Sequence, residues 1–181
     1  MPEKIIIYGS HYGTAKKYAE ELSLRTGIEV KPYNEIAKID TYNVIVYIGA
    51  LYAGSLVGMK KTFSKLTACK NKKIIIISVG LADVKDKHYT DDIKKSISRQ
   101  ISKEVYENAS IYHLRGGIDY SKLSFVYKTM MGLLYKKVIA LPEEKRTADA
   151  NTLIETYNKK VDFVDFSSLD IIIKEQFMER V

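Results

Sequence analysis

Seven residues near the amino terminus, Gly9-Ser10-His11-Tyr12-Gly13-Thr14-Ala15, have the types and spacing of an anion cradle. They lie between a short apolar run and the start of a helical pattern. Gly13 permits a tight turn, successive N–H groups can face inward, and the following helix adds partial positive charge at its N-terminus. Ser10 and Thr14 offer hydroxyl donors, and His11 offers either an imidazole donor or a solvent-facing loop residue. An ordinary Gly/Ser turn would use the same residue types, so this loop has to be weighed with the rest of the chain.

Other chemistries lack their residues. There is no G-x-x-x-x-G-K-[ST] phosphate loop and no G-x-G-x-x-G dinucleotide fingerprint. Tyr8-Gly9-Ser10 supplies none of the carboxylates that a phospho-acceptor receiver domain needs there. His11, His88 and His113 are scattered, without metal-ligand spacing or a Ser-His-Asp arrangement, so no metal is expected and no catalytic side chain is assigned. Cys69 stands alone, which excludes an internal disulfide.

The loop is positioned by alternating strand and helix patterns. Lys4–Tyr8, Val44–Ile48, Ile74–Val79 and the weaker Ile111–Leu114 are apolar runs, the first three followed by Gly9, Gly49 and Gly80 and the fourth lying just before Gly116-Gly117. Continuous β-branched runs suit strands covered on both faces, as in parallel sheets. Ile28–Tyr33 alternates like an edge strand. Helical stripes occur at Ala15, Tyr18, Ala19 and Leu22, at Met59, Phe63 and Leu66, and at Ile93, Ile97 and Ile101, with Thr90-Asp91 as the expected cap of the last. Leu169, Ile172, Ile173 and Phe177 mark a closing helix. One domain over 1–181 is expected: α/β, a doubly wound five-stranded parallel sheet in order 2-1-3-4-5. An insertion at roughly 116–160 follows the fifth strand. Its best helix spans Ser121–Leu141, and Pro142–Asn151 is its expected mobile segment.

The chain resembles the flavodoxins at Ser10-x-Tyr12-Gly13-x-Ala15, set against their [ST]-x-[ST]-G-x-[ST]. Ser10 and Gly13 match; Tyr12 and Ala15 replace hydroxyl residues. In such a fold two further loops hold the flavin ring. Here they read Ala50-Leu51-Tyr52-Ala53-Gly54 and Ser78-Val79-Gly80-Leu81-Ala82, small residues around a Tyr52 that can stack on the ring or lie at the surface. Taken in order with Phe63, Gly116-Gly117 and Val161–Phe166, the blocks are similar to the flavodoxin-like protoporphyrinogen oxidases of bacterial heme synthesis. That family also carries a helix-containing insertion after the fifth strand.

The resemblance implies FMN as cofactor, its phosphate held by Ser10, His11, Tyr12, Gly13, Thr14 and Ala15. It implies dehydrogenation of a porphyrinogen, with electrons passed to a membrane quinone. Three other readings stay open: an electron-transfer flavodoxin without a substrate of its own, an NAD(P)H:quinone reductase, and, given Tyr12 and Ala15, a flavin-free binding module on the same fold. The aromatic, Arg-bearing loop of those reductases is missing.

The 181 residues carry a formal charge of +7 and a pI of about 9.2, which attract anions. Flavodoxins are acidic where they dock, so this surplus favours the enzyme reading over the carrier. Arg115, Lys122, Lys128, Lys136, Lys137, Lys145 and Arg146 fall in or beside the insertion. They suit the propionates of a porphyrinogen, or peripheral contact of Ser121–Leu141 with an anionic membrane. The blander expectation is that the helix stripe of Leu123, Val126, Tyr127, Met130, Leu134, Val138 and Leu141 packs on the domain. No nucleic-acid recognition motif is present. Without an apolar spanning run or a leader, the expected location is the cytoplasm or the inner membrane face.

Overall fold

A computed structural model describes residues 3–52 and 54–178. In chain order the elements are β1 (Lys4–Gly9), α1 (Thr14–Thr26), β2 (Val30–Pro32), β3 (Val44–Tyr52), β4 (Ser55–Leu56), α2 (Met59–Phe63), β5 (Lys73–Gly80) and α3 (Lys87–Gln100). Then follow α4 (Lys103–Glu107), β6 (Ala109–Arg115), β7 (Gly117–Asp119), α5 (Phe125–Ile139), α6 (Ala148–Thr156), β8 (Lys160–Asp162) and α7 (Leu169–Gln176).

The main sheet runs β2-β1-β3-β5-β6, all parallel, with the two-residue β4 folded back antiparallel on β3. This is the expected 2-1-3-4-5 order. The apolar runs are continuous because both faces are covered, and alternation along each strand assigns residues to opposite sides. Ile5, Ile7, Ile45, Tyr47, Ile74 and Ile76 pack toward α2 and α3. Ile6, Val46, Ile48, Ile75 and Ile77 pack toward α1 and α7. Every one of these residues is essentially inaccessible to solvent.

Side chains fix most helix starts. Asp86 accepts hydrogen bonds from the backbone N–H groups of His88 and Tyr89 at 2.9 and 3.3 Å, so α3 begins four residues before the expected Thr90-Asp91 cap. Ser124 and Thr147 similarly cap α5 and α6. By contrast, α1 begins at Gly13, which has no side chain to cap it.

The insertion is an ordered unit. β7 and β8 pair antiparallel, Gly117 opposite Asp162 and Asp119 opposite Lys160, so the chain leaves the sheet and returns beside itself. Between them α5 and α6 enclose a small third core of Ile118, Tyr120, Leu123, Met131, Val138, Ala150 and Leu153. Tyr157 stacks on Tyr135 with ring centroids 4.0 Å apart. The polar segment Pro142–Asn151, expected as the mobile part, carries secondary structure. Glu143–Lys145 forms a 3-10 turn, and the chain then enters α6, where Ala150 is buried. Arg146 fastens the turn by donating to the carbonyls of Leu141 and Ile139.

The expected stripe of α5 is only partly inside. Met131 and Val138 are buried, Leu123 is buried just ahead of the helix, and Tyr127 packs against the same core. Phe125, Val126 and Leu133 are 84%, 63% and 65% exposed. The helix is apolar nearly all round, so a periodicity argument could not tell its inner face from its outer one.

Candidate functional site

A cavity of about 440 Å³ lies beyond the carboxyl ends of β1, β3, β5 and β6, where ligands bind in doubly wound sheets. Its floor is the sheet end and its loops: Tyr12 and Thr14 after β1, Ala50, Leu51 and Tyr52 at the end of β3 with Gly54 beyond it, and Val79 and Gly80 at the end of β5 with Leu81 beyond it. Gly116-Gly117 and Ile118 close one side. The roof is the insertion: Met130, Met131, Leu134 and Val138 from α5, and Thr147, Asp149, Ala150 and Leu153 from the start of α6.

The expected phosphate loop turns sharply at Gly13. Gly13 has φ +88°, the left-handed region, and a Cβ there would project into open space, so backbone alone faces that space. Ser10 Oγ accepts the Gly13 N–H at 3.0 Å, which folds the loop back on itself. The first turn of α1 carries no acidic residue, leaving the helix dipole unopposed. Ala15, buried under α1 against the sheet, acts as core. Thr14 stands beside Gly116, where any Cβ would come within 3.0 Å of its Oγ1.

Tyr12 and His11 point into an aromatic group with Tyr52 and Tyr127. His11 meets Tyr52 edge-on at 4.9 Å, and Tyr12 meets Tyr127 edge-on at 5.7 Å between ring centroids. His11 Nδ1 lies 2.9 Å from the Tyr127 hydroxyl, tying the loop to α5. Partial burial lowers the His11 pKa, so at neutral pH the imidazole is uncharged and its Nδ1 can accept that hydroxyl proton. The Tyr12 hydroxyl is buried and has no partner among the described residues. Burial, followed by the nearby Tyr52, raises its pKa, so it stays a protonated donor. A buried donor without an acceptor is costly, and a polar ligand in the cavity would satisfy it.

Of the ring-loop residues, Ala50, Leu51, Tyr52, Gly54, Val79, Gly80 and Leu81 line the cavity. Ser78 does not. Its hydroxyl lies 2.7 Å from His113 Nδ1, because the parallel register sets the two residues side by side in β5 and β6. Ala82 is buried in the core on the α3 side. Ala53 lies outside the described residues. Arg115, expected in a basic rim, is already engaged: it donates to the Leu81 carbonyl at 3.0 and 3.2 Å and stacks on Phe163 at 3.9 Å. The helix of the roof was expected within Ser121–Leu141, Tyr127 included, but its place over the cavity, the helix α6 and Asp149 escaped the sequence reading, whose pattern signals nothing about where an insertion folds back.

Residues 5–143 match the flavodoxin domain, and the chain belongs to that family. No curated protein matches it. Among solved structures it is similar to a candidate flavoprotein from Bacteroides uniformis ATCC 8492, at 12% identity and a TM-score of 0.46, over 64% of this chain and 92% of that one. A flavoprotein in complex with FMN from Lactobacillus acidophilus NCFM matches at 14% identity and a TM-score of 0.41, over 64% and 93% of the two chains. A flavodoxin from the domain Archaea matches at 12% identity and a TM-score of 0.39, over 62% and 82%.

FMN is the cofactor that this family membership supports. The residues present fit it: an uncapped helix N-terminus for the phosphate, an apolar cavity of ligand size for the ring, and the unpartnered Tyr12 hydroxyl for a polar edge.

Proposed function

We propose that this chain is an FMN-dependent oxidoreductase that oxidises an anionic small molecule beneath the inserted roof. The reaction its sequence resembles is porphyrinogen dehydrogenation with a quinone as electron acceptor. The observation that carries the reading is the roof itself. An electron carrier needs its flavin edge open to a partner protein, whereas α5 and α6 cover this crevice with Met130, Met131, Leu134 and Val138.

FMN, when bound, supplies the two-electron chemistry. The chain binds and orients. Gly13, Ser10, Thr14 and the start of α1 hold the phosphate; Leu51, Tyr52, Val79, Gly80 and Leu81 hold the ring. Tyr12 would offer its unpartnered hydroxyl, and Met131 and Val138 of α5 bury one side of the cavity.

The exposed lysines Lys122, Lys128, Lys136 and Lys137 surround the roof and attract an anionic substrate. Together with the exposed Phe125, Val126 and Leu133 they suit an anionic membrane surface, where a quinone would be met. No helix among the described residues is long and apolar enough to cross a membrane.

The test is turnover. Protein loaded with FMN is mixed with a porphyrinogen and a soluble quinone, and the formation of porphyrin is followed by fluorescence. Quinone-dependent turnover supports the assignment. Retention of FMN without porphyrin formation would leave a flavodoxin-family electron carrier. Rapid flavin reduction by NAD(P)H alone would favour a quinone reductase.

A further inference from the structure

We propose that Asp149 is the proton-exchanging group of the roofed cavity, and that a second, polar chamber behind it is its route to solvent. The proposal rests on reading the cavity as a flavin redox site.

Two chambers share a wall. The first is the mostly apolar cavity already described; the second, of about 530 Å³, is lined by Asp86, His88, Asp92, Arg146 and Asn151. Leu51, Gly54, Thr147 and Asp149 border both. Asp149 is the single carboxylate among the described residues lining the first cavity. The phenols of Tyr12 and Tyr52 there are held protonated by burial. His11 is hydrogen-bonded to Tyr127, and His113 faces Ser78 between strands. Asp149 is thus the group that can take up and release a proton near neutral pH while touching the cavity.

Dehydrogenation needs such a group. Removal of two hydrogens from a substrate, as a hydride equivalent that bound FMN would take and a proton, leaves that proton in need of a base. The Asp149 carboxylate accepts it and, through the chamber on its other side, passes it to water. When a quinone takes the electrons, the same carboxyl lets the proton balance be restored without opening the roof.

The surroundings tune the carboxyl without neutralising it. Burial, and then the charge of Asp92, raise the Asp149 pKa to about 6, although the side chain is reached by solvent from the chamber. On α3, Asp92 is paired with Lys95 at 3.2 Å and Asp86 is spent capping the helix. His88 lines the same chamber. Arg146 binds the carbonyls of Leu141 and Ile139, and Arg115 that of Leu81, so neither guanidinium answers Asp149. Tyr89 is 4% exposed and its hydroxyl has no partner among the described residues. It presses against Gly80, where a Cβ would lie 2.0 Å from it, and so reaches from the chamber to the cavity wall.

Two measurements on wild type and Asp149→Asn test this. In FMN-free protein, the carboxyl carbon of Asp149 is followed by NMR against pH; the midpoint is expected near 6 and lower in Asp92→Asn. In FMN-loaded protein, the midpoint potential is followed against pH. A change of slope near pH 6, roughly twofold, is expected in wild type and absent in Asp149→Asn. FMN retained with no bend, or with the bend unchanged in the variant, overturns the relay and leaves the flavin reading intact. A carboxyl that titrates below about 4.5 also overturns the relay alone. Failure to retain FMN overturns both.

Discussion

The Tyr127 hydroxyl lies 2.9 Å from His11 Nδ1, joining the inserted helix α5 to the loop that follows the first strand. The insertion is therefore fastened to the cofactor loop by a side-chain contact across more than a hundred residues of sequence. Tyr127→Phe keeps the ring packing and removes the hydrogen bond, at a cost of about 0.5–1 kcal/mol. The expected outcome is faster FMN release, by about two- to fivefold, read by recovery of flavin fluorescence. An unchanged rate would mean that α5 is held by its apolar contacts alone.

Gly13 is the strictest backbone requirement of the site. At φ +88°, a side chain strains the turn by about 1–2 kcal/mol. Gly13→Val also places methyl groups in front of the cradle. FMN affinity is expected to fall at least tenfold, while affinity for riboflavin, which lacks the phosphate, changes much less. Titration of both ligands by fluorescence quenching separates loss of the cradle from general misfolding.

Gly80 is held to a hydrogen atom by the Tyr89 hydroxyl, since a Cβ would sit 2.0 Å from that oxygen. Tyr89 is nearly fully buried, so its ring would have to shift within the packed α3 side of the core. Gly80→Ala is expected to destabilise the fold by about 1–3 kcal/mol in urea unfolding. The double variant with Tyr89→Phe should recover part of that loss. Independent, additive losses would contradict the packing described.

His113 links stability to pH. Burial, and then Lys94, lower its pKa to about 4, and its Nε2 has no partner among the described residues. The unfolded state, titrating near 6.5, binds the extra proton between those values. Stability is therefore fully present above about pH 6.5 and falls as pH drops toward 4, by about 3 kcal/mol from this residue. In His113→Leu the urea midpoint is expected to depend less on pH across that window. An unchanged slope would assign the dependence to carboxylates.

The outer face of α5 carries the membrane proposal. Replacing Phe125, Val126 and Leu133 together by Gln should weaken binding to vesicles containing anionic lipid at least tenfold in co-sedimentation. FMN retention should persist, because these three side chains are outside the cavity. Equal sedimentation of both proteins would remove the membrane from the account.

The sheet was legible because its signal is local and redundant. Three β-branched runs ending in glycine, with a weaker fourth at Ile111–Leu114, require two covered faces, and their alternation with amphipathic helices leaves few topologies. The turn at Gly13 was legible for the same reason, since strand, turn and helix are contiguous there. The roof was not. Its polar segment Pro142–Asn151 reads as a loop, because α6 buries only Ala150, Leu153 and Thr156 and its partners are distant in sequence. β7 and β8 are three residues each and pair across more than forty positions, beyond any pattern in either segment. Ser78 looked like a ring-loop residue by position, yet the register that places it beside His113 turns its hydroxyl to the neighbouring strand. Asp149 carried no signal at all: a single Asp in a polar stretch becomes distinctive only when the fold sets it between two cavities.

The most direct measurement is the absorbance spectrum of purified protein after mixing with FMN and removing unbound ligand. Flavin bands retained at about one per chain, and lost in Gly13→Val, are the expected result. A folded protein that keeps no flavin would contradict the cofactor site, and with it the enzyme built around that site.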